Sequence, residues 1–213
     1  MDPAIRAEPL SKRVFAFVDG QDLFHAARTA FGHRHPNYDV GKLAAAICAA
    51  KTWTLVQTCF YTGVPSAVDN PFWNHFWTAK AAVMGTRGIK VFTHPLRYRN
   101  QAVALPGGGA TTTLVGQEKG IDVRIALDIV RHAIDGDYDV ALVFSQDQDL
   151  SEGVEDVKSL AAREGRWIKL ACAFPSSPTV PRSRGINHTD WIKIDRVLHD
   201  SCLDPIDYRP QNE

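Results

Sequence analysis

Acidic side chains follow two apolar runs of this sequence, at positions where they could take part in chemistry. Asp147 and Asp149 come just after the run Val140–Phe144, and Asp19 follows residues 14–18. Carboxylates packed together are electrostatically costly unless a cation or an acid proton compensates their charge. The pattern therefore indicates either a bound cation or a carboxylic acid with a raised pKa.

A simpler alternative explains the same residues without any chemistry. Asp149 could cap the helix that follows it, and Asp147 could be solvated. Asp122, at the start of a long helical pattern, could favour the positive end of that helix. The sequence leaves both interpretations open until the positions of the strands are considered.

The apolar runs have the composition of strands that are buried on both faces of a parallel sheet. Strands of this kind alternate with amphipathic helical patterns, which predicts an α/β fold with a central, mainly parallel sheet. If residues 14–18 and 140–144 are adjacent central strands, Asp19, Asp147 and Asp149 converge at the carboxyl edge, where such sheets bind ligands. Asp122 joins them from the start of the preceding helix.

The remaining elements are predicted from periodicity and from residues that break helices and strands. A helix beginning at Asp149 or just after it buries Leu150, Val154, Val157 and Leu160. Further strands are predicted at 53–61, 89–92 and 167–174, and further helices from Gly20 to Phe31, from Asp39 and from Pro71. A long helix is predicted to bury Val123, Ala126, Leu127, Val130 and Ile134. A terminal helix is marked by Trp191, Ile194, Val197 and Leu198.

Residues 96–116 predict a two-stranded arm with a glycine-rich connection. Arg97, Tyr98 and Arg99 combine guanidinium groups with an aromatic ring, which suits contacts to phosphates and unstacked bases. An exposed strand edge protected by charge is an equally good explanation.

Composition limits the classes of function that are open to the 213-residue chain. Lysine and arginine together equal aspartate and glutamate in number, which argues against binding of nucleic acid through a broad positive surface, although not against a local basic patch. No apolar run is as long as a membrane span, and the four scattered cysteines form no C-x-x-C pair. We expect a cytoplasmic protein with reduced thiols and no membrane partner, and the sequence leaves self-association into a homo-oligomer open. His33 and His35, in a loop, could bind a metal ion, but the sequence shows no matching cluster of partners, and surface histidines in such a loop need no metal to explain them.

Three blocks of the sequence resemble the NYN domain, which belongs to the PIN-like nuclease superfamily and includes the LabA-like proteins. The blocks are residues 17–23, residues 119–123 with Asp128, and residues 143–150, and the likeness covers roughly residues 13–172. The chain departs from the family pattern at Asp22, where Asn is usual, at Gln146, where Gly is commoner, and at Leu150, where Phe is usual.

The resemblance implies a three-layer α/β sandwich and metal-dependent hydrolysis of RNA, with single-stranded RNA as the expected partner. It implies an NYN domain at residues 13–174 with an insert at about 96–116, an N-terminal extension at 1–12, and a C-terminal loop with a short helix at 175–213. Carboxylate oxygens without sulfur partners suit Mg²⁺ or Mn²⁺.

The resemblance also implies roles for individual residues. The catalytic and metal-binding set is Asp19, Asp122, Asp147 and Asp149, with Asp19 and Asp147 as direct ligands. Gln21 and Ser145 would position water or phosphate, and Asp22 would act next to the metal ligands without binding the ion itself. The resemblance does not explain the insert at 96–116, and RNA contact by Arg97, Tyr98 and Arg99 is expected from their side-chain chemistry alone.

Two alternative functions remain. Asp147-Gln148-Asp149 could be the D-x-D of a metal-dependent phosphatase or glycosyltransferase. A phosphatase of the haloacid dehalogenase type would carry its D-x-D after the first strand, where this chain has Asp19-Gly20-Gln21. The chain could also be a non-catalytic RNA-binding or assembly module on a nuclease fold.

Overall fold

Eight strands and six helices make up the protein in a computed structural model that describes residues 7–104, 110–180 and 184–211. The strands are β1 (Arg13–Asp19), β2 (Thr54–Val64), β3 (Lys90–Pro95), β4 (Arg97–Ala104), β5 (Ala110–Gln117), β6 (Val140–Phe144), β7 (Lys169–Pro175) and β8 (Asp190–Ile194). The helices are α1 (Gly20–Phe31), α2 (Val40–Ala50), α3 (Pro71–Thr86), α4 (Ile121–Ile134), α5 (Ser151–Glu164) and α6 (Arg196–Ser201), and a single 3-10 turn spans Gln148–Leu150.

Six of the described strands form one sheet in the order β3-β2-β1-β6-β7-β8, and every neighbouring pair in it is parallel. Strand β1 shows why helices cover both faces. Val14, Ala16 and Val18 point into one hydrophobic cluster, and Phe15 and Phe17 point into the other, as the two-residue period of a strand requires.

Each face of the sheet is covered by its own set of helices. Helices α4 and α5 supply the cluster around Phe15 and Phe17. Helices α1, α2 and α3 supply the opposite cluster through Leu23, Leu43 and Phe76, among others. This arrangement confirms the expected three-layer α/β sandwich. Within the described ranges, none of the helices combines the length and apolarity needed to cross a bilayer.

Helix α4 buries a different face from the one predicted. Of the predicted residues, Ala126 and Val130 are partly buried against the core, but Val123, Leu127 and Ile134 are exposed. The buried set is Ile121, Ile125, Asp128, Ile129 and Ala133. The helix carries two apolar stripes, and the buried one contains an aspartate, which periodicity counts against burial. Asp128 can be buried because it accepts hydrogen bonds from the Tyr61 hydroxyl at 3.0 Å and from Arg124 Nε at 2.9 Å.

The C-terminal part contains a strand that the sequence did not predict. We predicted that Trp191 and Ile194 belong to a terminal helix, and this is wrong, because both lie in β8 and pair with β7. The helix proper, α6, begins only at Arg196 after the capping residue Asp195. Strand β2 also continues through Gly63 to Val64, three residues beyond the predicted end, because it pairs with β3 along that length.

The predicted arm is present as the antiparallel hairpin β4–β5, which forms a separate two-stranded sheet. Its base is attached to the main sheet, where Leu96 donates a backbone hydrogen bond to the Val64 carbonyl at 3.0 Å and the Tyr98 hydroxyl accepts one from the Ser66 N–H at 2.9 Å. The hairpin therefore starts at the same sheet edge at which β1 and β6 end.

Candidate active site

Strands β1 and β6 are neighbours, and both end at the same edge of the sheet. Val18 pairs with Phe144, so Asp19 and Ser145 stand side by side as the next residues of the two strands. This confirms the predicted adjacency of the two strands. It places the loops that carry Asp19, Asp147 and Asp149 at the carboxyl edge.

Asp19 caps helix α1 and is almost fully buried, with 4% of its surface exposed. Its Oδ1 accepts a hydrogen bond from the Asp22 N–H at 2.9 Å. Burial raises the pKa of Asp19 well above its usual value, and Asp22, Glu118 and Asp122 raise it further by charge repulsion. An uncompensated charge at Asp19 is therefore unfavourable, as expected of a residue that binds a cation.

The turn after Asp19 is fixed by its neighbours. A side chain at Gly20 would overlap the ring of Phe60 and approach the Tyr61 carbonyl, so only glycine fits here. The buried Tyr38 hydroxyl donates to the Gly20 carbonyl at 2.8 Å. These contacts set the direction of the first turn of α1 and, with it, the position of Asp19.

Asp22 joins α1 to the loop after β6. Its Oδ2 accepts a hydrogen bond from the Gln146 N–H at 2.5 Å, and its side chain also interacts with Ser145. Burial raises the pKa of Asp22, and the charge of Asp147 raises it further. Asn, the usual family residue here, would keep one acceptor for Gln146 but remove the charge. Asp22 thus holds two loops together and adds one more carboxylate to the edge.

Ser145, Asp147 and Asp149 form the turn that follows β6. Ser145 is buried, and its Oγ accepts a hydrogen bond from the Asp147 N–H at 3.1 Å. Asp147 is partly buried, and its Oδ1 accepts one from the Asp149 N–H at 2.9 Å. Asp149 is exposed. Asp149 therefore does not cap α5, which has no side-chain cap, and Asp147 caps the 3-10 turn that precedes this helix.

Asp122 lies in the first turn of α4, shortly after the left-handed residue Gly120, whose φ is 86°. Burial raises the pKa of Asp122, and the charges of Asp147, Asp149 and Asp22 raise it further. The charge of Asp122 is therefore exposed to repulsion from carboxylates in two other segments of the chain.

Glu118 belongs to the same cluster, and the sequence did not predict it. Burial raises its pKa to about 7, and Asp122 and Asp22 add to this by repulsion. Its Oε1 accepts a hydrogen bond from the Gly63 N–H at the base of the hairpin. The one available signal was its place beside the Lys119-Gly120-Ile121-Asp122 block, because no periodicity marks a residue between a hairpin and a helix.

We call the resulting group the carboxylate cluster. Its members are Asp19, Asp22, Glu118 and Asp122, whose pKa values are raised, and Asp147 and Asp149, whose charges act on Asp22 or Asp122.

The donors of the carboxylate cluster are all hard oxygens, and they fit a hydrated Mg²⁺ or Mn²⁺. In the part of the chain that the structure describes, the tight groups with three potential ligand atoms within 4.8 Å of one another contain histidines and lie elsewhere. The carboxylate cluster is thus more open than a closed cage. Mg²⁺ usually keeps several waters and binds through one or two carboxylates, so an open set of carboxylates suits it.

Other predicted residues lie around the carboxylate cluster. Gln21 lines a cleft of about 270 Å³ between α1 and α3, together with Arg28 and Trp73. Arg97 and Arg99 are exposed on one face of β4. Tyr98 faces the other way and packs on Gly116, with its hydroxyl bound to Ser66. Tyr98 is therefore an anchor of the hairpin, and the two arginines project from it.

Comparison with known proteins gives a family match and a match in fold. The family model described as NYN domain matches residues 13–165. No curated protein matches the chain. A crystal structure of a protein of unknown function from Vibrio parahaemolyticus is similar, with a TM-score of 0.53 and 19% sequence identity over 90% of this chain and 98% of that chain. At this level of identity the similarity concerns the fold alone.

Proposed function

The chain belongs to the NYN domain family, whose members are generally nucleases, and from this premise we propose that it is a metal-dependent ribonuclease. It would hydrolyse phosphodiester bonds of RNA at the carboxyl edge of the sheet, using Asp19, Asp122, Asp147 and Asp149. Mg²⁺ or Mn²⁺ would be the cofactor.

One observation carries the proposal. At the edge where β1 and β6 end, the charge of Asp122 at the start of α4 raises the pKa of Asp19, and the charges of Asp147 and Asp149 raise the pKa of Asp122. A protein that needed these residues only as helix caps would not bring their charges together, because repulsion in a buried place destabilises the fold. A bound divalent cation would remove that repulsion.

The roles follow from burial and position. Asp19 and Asp147 are the proposed direct ligands, since they follow adjacent strands and are held by backbone N–H groups that leave the second carboxylate oxygen available. Asp122 and the exposed Asp149 would add their negative charges at the same edge of the sheet. When bound, the metal ion would lower the pKa of a coordinated water and neutralise charge that builds on the phosphate.

The supporting residues do not need to touch the substrate. Asp22 and Ser145 hold the loop after β6 against α1, and this fixes the position of Asp147. Glu118 attaches the hairpin to β2 while adding to the negative charge. Gln21 would interact with a nucleotide only in the cleft beside α1.

RNA in a single-stranded form is the proposed substrate. The chain has no net charge, so phosphate contacts must come from local cations. Arg97 and Arg99 are exposed on the hairpin whose base contacts the cluster through Glu118, which suits a strand that is guided toward the carboxylates. Tyr98 would act by anchoring this hairpin.

The test is cleavage of labelled single-stranded RNA in the presence of Mn²⁺, with EDTA as the control for metal dependence. The variant Asp19→Asn should lose nearly all cleavage while it binds RNA as well as the wild type or better, because a negative charge near phosphate is removed. The matched control is Asp156→Asn, which changes an exposed aspartate on α5 outside the carboxylate cluster and should cleave normally.

Two outcomes would contradict the proposal. Cleavage that survives both EDTA and Asp19→Asn would point to a contaminating nuclease or to a different mechanism. Tight RNA binding without cleavage of any tested RNA would favour a non-catalytic binding module instead.

A further inference from the structure

Two histidines and an aspartate meet where the end of α1 approaches α6, away from the carboxylate cluster. His33 Nε2 lies 2.8 Å from Asp200 Oδ1, and His199 Nδ1 lies 3.2 Å from the same oxygen. The three potential ligand atoms are all within 4.8 Å of one another. We call this group the His–His–Asp cluster. Nothing in the proposed nuclease chemistry uses it.

His199 is held in the cluster by its surroundings. Only 1% of its surface is exposed, and its ring stacks on that of His33 with centroids 4.7 Å apart and an interplanar angle of 25°. Phe31 and Tyr38 pack around the same ring at 5.2 and 6.1 Å. The imidazole therefore cannot turn toward solvent.

One ring nitrogen of His199 has no partner. Among the described residues, Nε2 is the buried side-chain polar atom that has no hydrogen-bond partner. Burying an unpaired polar atom is unfavourable. All polar interactions of the ring therefore run through Nδ1, which faces Asp200, so Nδ1 is the ring nitrogen that is placed to bind a metal ion.

We propose that the His–His–Asp cluster binds a transition-metal ion of the Zn²⁺ class through His33 Nε2, His199 Nδ1 and Asp200 Oδ1. Ligand atoms at about 2.0–2.1 Å from a tetrahedral Zn²⁺ are roughly 3.3 Å from one another, so the observed spacing needs only a small opening. Nitrogen ligands favour Zn²⁺ over Mg²⁺, which separates this cluster chemically from the carboxylate cluster.

The surroundings leave room for a fourth ligand. The side chains of His33 and Asp200 are 20% and 35% exposed, so water can complete the coordination from the solvent side. Arg196 lies 3.7 Å from Oδ2 of Asp200. That contact occupies the far side of the carboxylate and leaves Oδ1 to face the two histidines.

The bound ion would fasten the C-terminal segment to the nuclease domain. His33 follows Gly32, the C-cap of α1, whereas Asp200 belongs to α6, 167 positions later. Nearby, the Asp39 N–H donates to the Cys202 carbonyl at 2.8 Å, so the two segments already touch. Helix α1 has 12 residues, about 18 Å, which separates this cluster from Asp19 at the other end of the helix.

A second group of potential ligands is a weaker candidate. His132, Asp135 and Asp137 are also close together, but all three come from one short stretch at the end of α4. The side chain of Asp135 is 51% exposed, whereas that of Asp200 is 35% exposed and His199 is buried. The group joins no separate segments and, within the described ranges, includes no unpartnered buried atom.

The test is titration of the full-length protein with Co²⁺, which reports nitrogen coordination through visible absorption, followed by displacement with Zn²⁺. We expect stoichiometric binding, and Zn²⁺ at 100 times its dissociation constant should raise the melting temperature by about 5–10 °C. His33→Gln and Asp200→Asn should each weaken binding by more than the roughly 10–100-fold that the loss of an outer hydrogen-bond partner causes.

Three control variants make the result specific. His35→Gln changes a histidine of the same loop that packs on Phe72 and Trp73 and should bind Co²⁺ like the wild type. Asp19→Asn, in the carboxylate cluster, should also leave the absorption unchanged. The proposal is overturned if Co²⁺ gives no visible band, if the band persists in His33→Gln, or if His132→Gln removes it instead.

Discussion

At the scale of single residues, the carboxyl groups of Asp19, Asp22, Glu118 and Asp122 are destabilised in their charged form. Burial is the largest cause of the raised pKa in each case, and repulsion from the other members adds to it. The metal-free protein therefore retains protons that the unfolded chain would have released. This ties stability to pH in a direction that can be measured.

Glu118→Gln should stabilise the metal-free protein above neutral pH. The folded-state pKa is raised from 4.5 to about 7, so between these values the folded state binds more protons than the unfolded chain does. The contribution of Glu118 to the free energy of unfolding therefore decreases by up to about 3 kcal/mol as the pH rises through this window. Glutamine keeps the acceptor for the Gly63 N–H without the charge.

The measurement is urea unfolding in EDTA at pH 5 and pH 8 for the wild type and the variant. The difference between the two proteins should be small at pH 5 and should favour the variant at pH 8. A variant that is less stable than the wild type at pH 8 would show that Glu118 is not destabilised by its surroundings.

Sequence reasoning at this scale worked where a residue follows a strand. The adjacency of β1 and β6 is confirmed, and Asp19 and Asp147 lie at or just after the ends of these strands, because an apolar run ending in a polar residue marks the sheet edge. Glu118 was missed because its position depends on how the hairpin folds back on Gly63, which is a tertiary contact. The role of Asp22 in holding Gln146 depends in the same way on two distant segments.

At the scale of elements, the hairpin β4–β5 is the feature that adds most to the carboxyl edge. Its base is attached by Tyr98 and Glu118, while Arg97 and Arg99 project to solvent. An exposed cation attracts phosphate without being needed for the chemical step. Variants of the hairpin should therefore change the affinity for RNA while leaving turnover at saturating RNA largely unchanged.

Arg97→Ala combined with Arg99→Ala should weaken RNA binding but leave turnover at saturating RNA largely unchanged. Removing two arginine–phosphate interactions should reduce the slope of log K against log salt by about 1.4, since each interaction with a single strand contributes roughly 0.7. Arg163→Ala, which removes an exposed arginine at the end of α5, is the matched control. An unchanged salt slope in the double variant would exclude the hairpin from RNA binding.

The sequence predicts some helices and strands better than others, and the burial of each element explains the difference. Strands β1 and β6 are buried on both faces, so their composition is distinctive. Strand β8 is mostly exposed and carries Trp191 next to polar residues, which leaves it no clear period. For α4, two apolar stripes compete, and the buried stripe contains Asp128, which accepts a hydrogen bond from the Tyr61 hydroxyl, a tertiary contact that periodicity cannot indicate.

At the scale of the whole molecule, metal binding and folding should be linked. The carboxylate cluster joins β1, the hairpin, α4 and the loop after β6, so repulsion inside it acts on the entire carboxyl edge of the sheet. A cation that binds only the folded state stabilises it increasingly as its concentration rises above the dissociation constant.

Asp147→Asn should raise the melting temperature of the metal-free protein and reduce or abolish the increase caused by Mn²⁺. The asparagine Oδ1 can still accept a hydrogen bond from the Asp149 N–H, so the turn is kept while one charge is removed. Thermal unfolding with and without Mn²⁺ measures both effects, and Asp156→Asn should respond to Mn²⁺ like the wild type. An undiminished response in Asp147→Asn would show that Asp147 is not a ligand.

The most direct test of the central claim is the anomalous diffraction of a crystal soaked in Mn²⁺. We predict a peak at the carboxyl edge of the sheet that is coordinated by Asp19 and Asp147, with Asp122 and Asp149 facing it through water or directly. The absence of a peak there, or one confined to His33, His199 and Asp200, would contradict the assignment of the carboxylate cluster as the catalytic metal site.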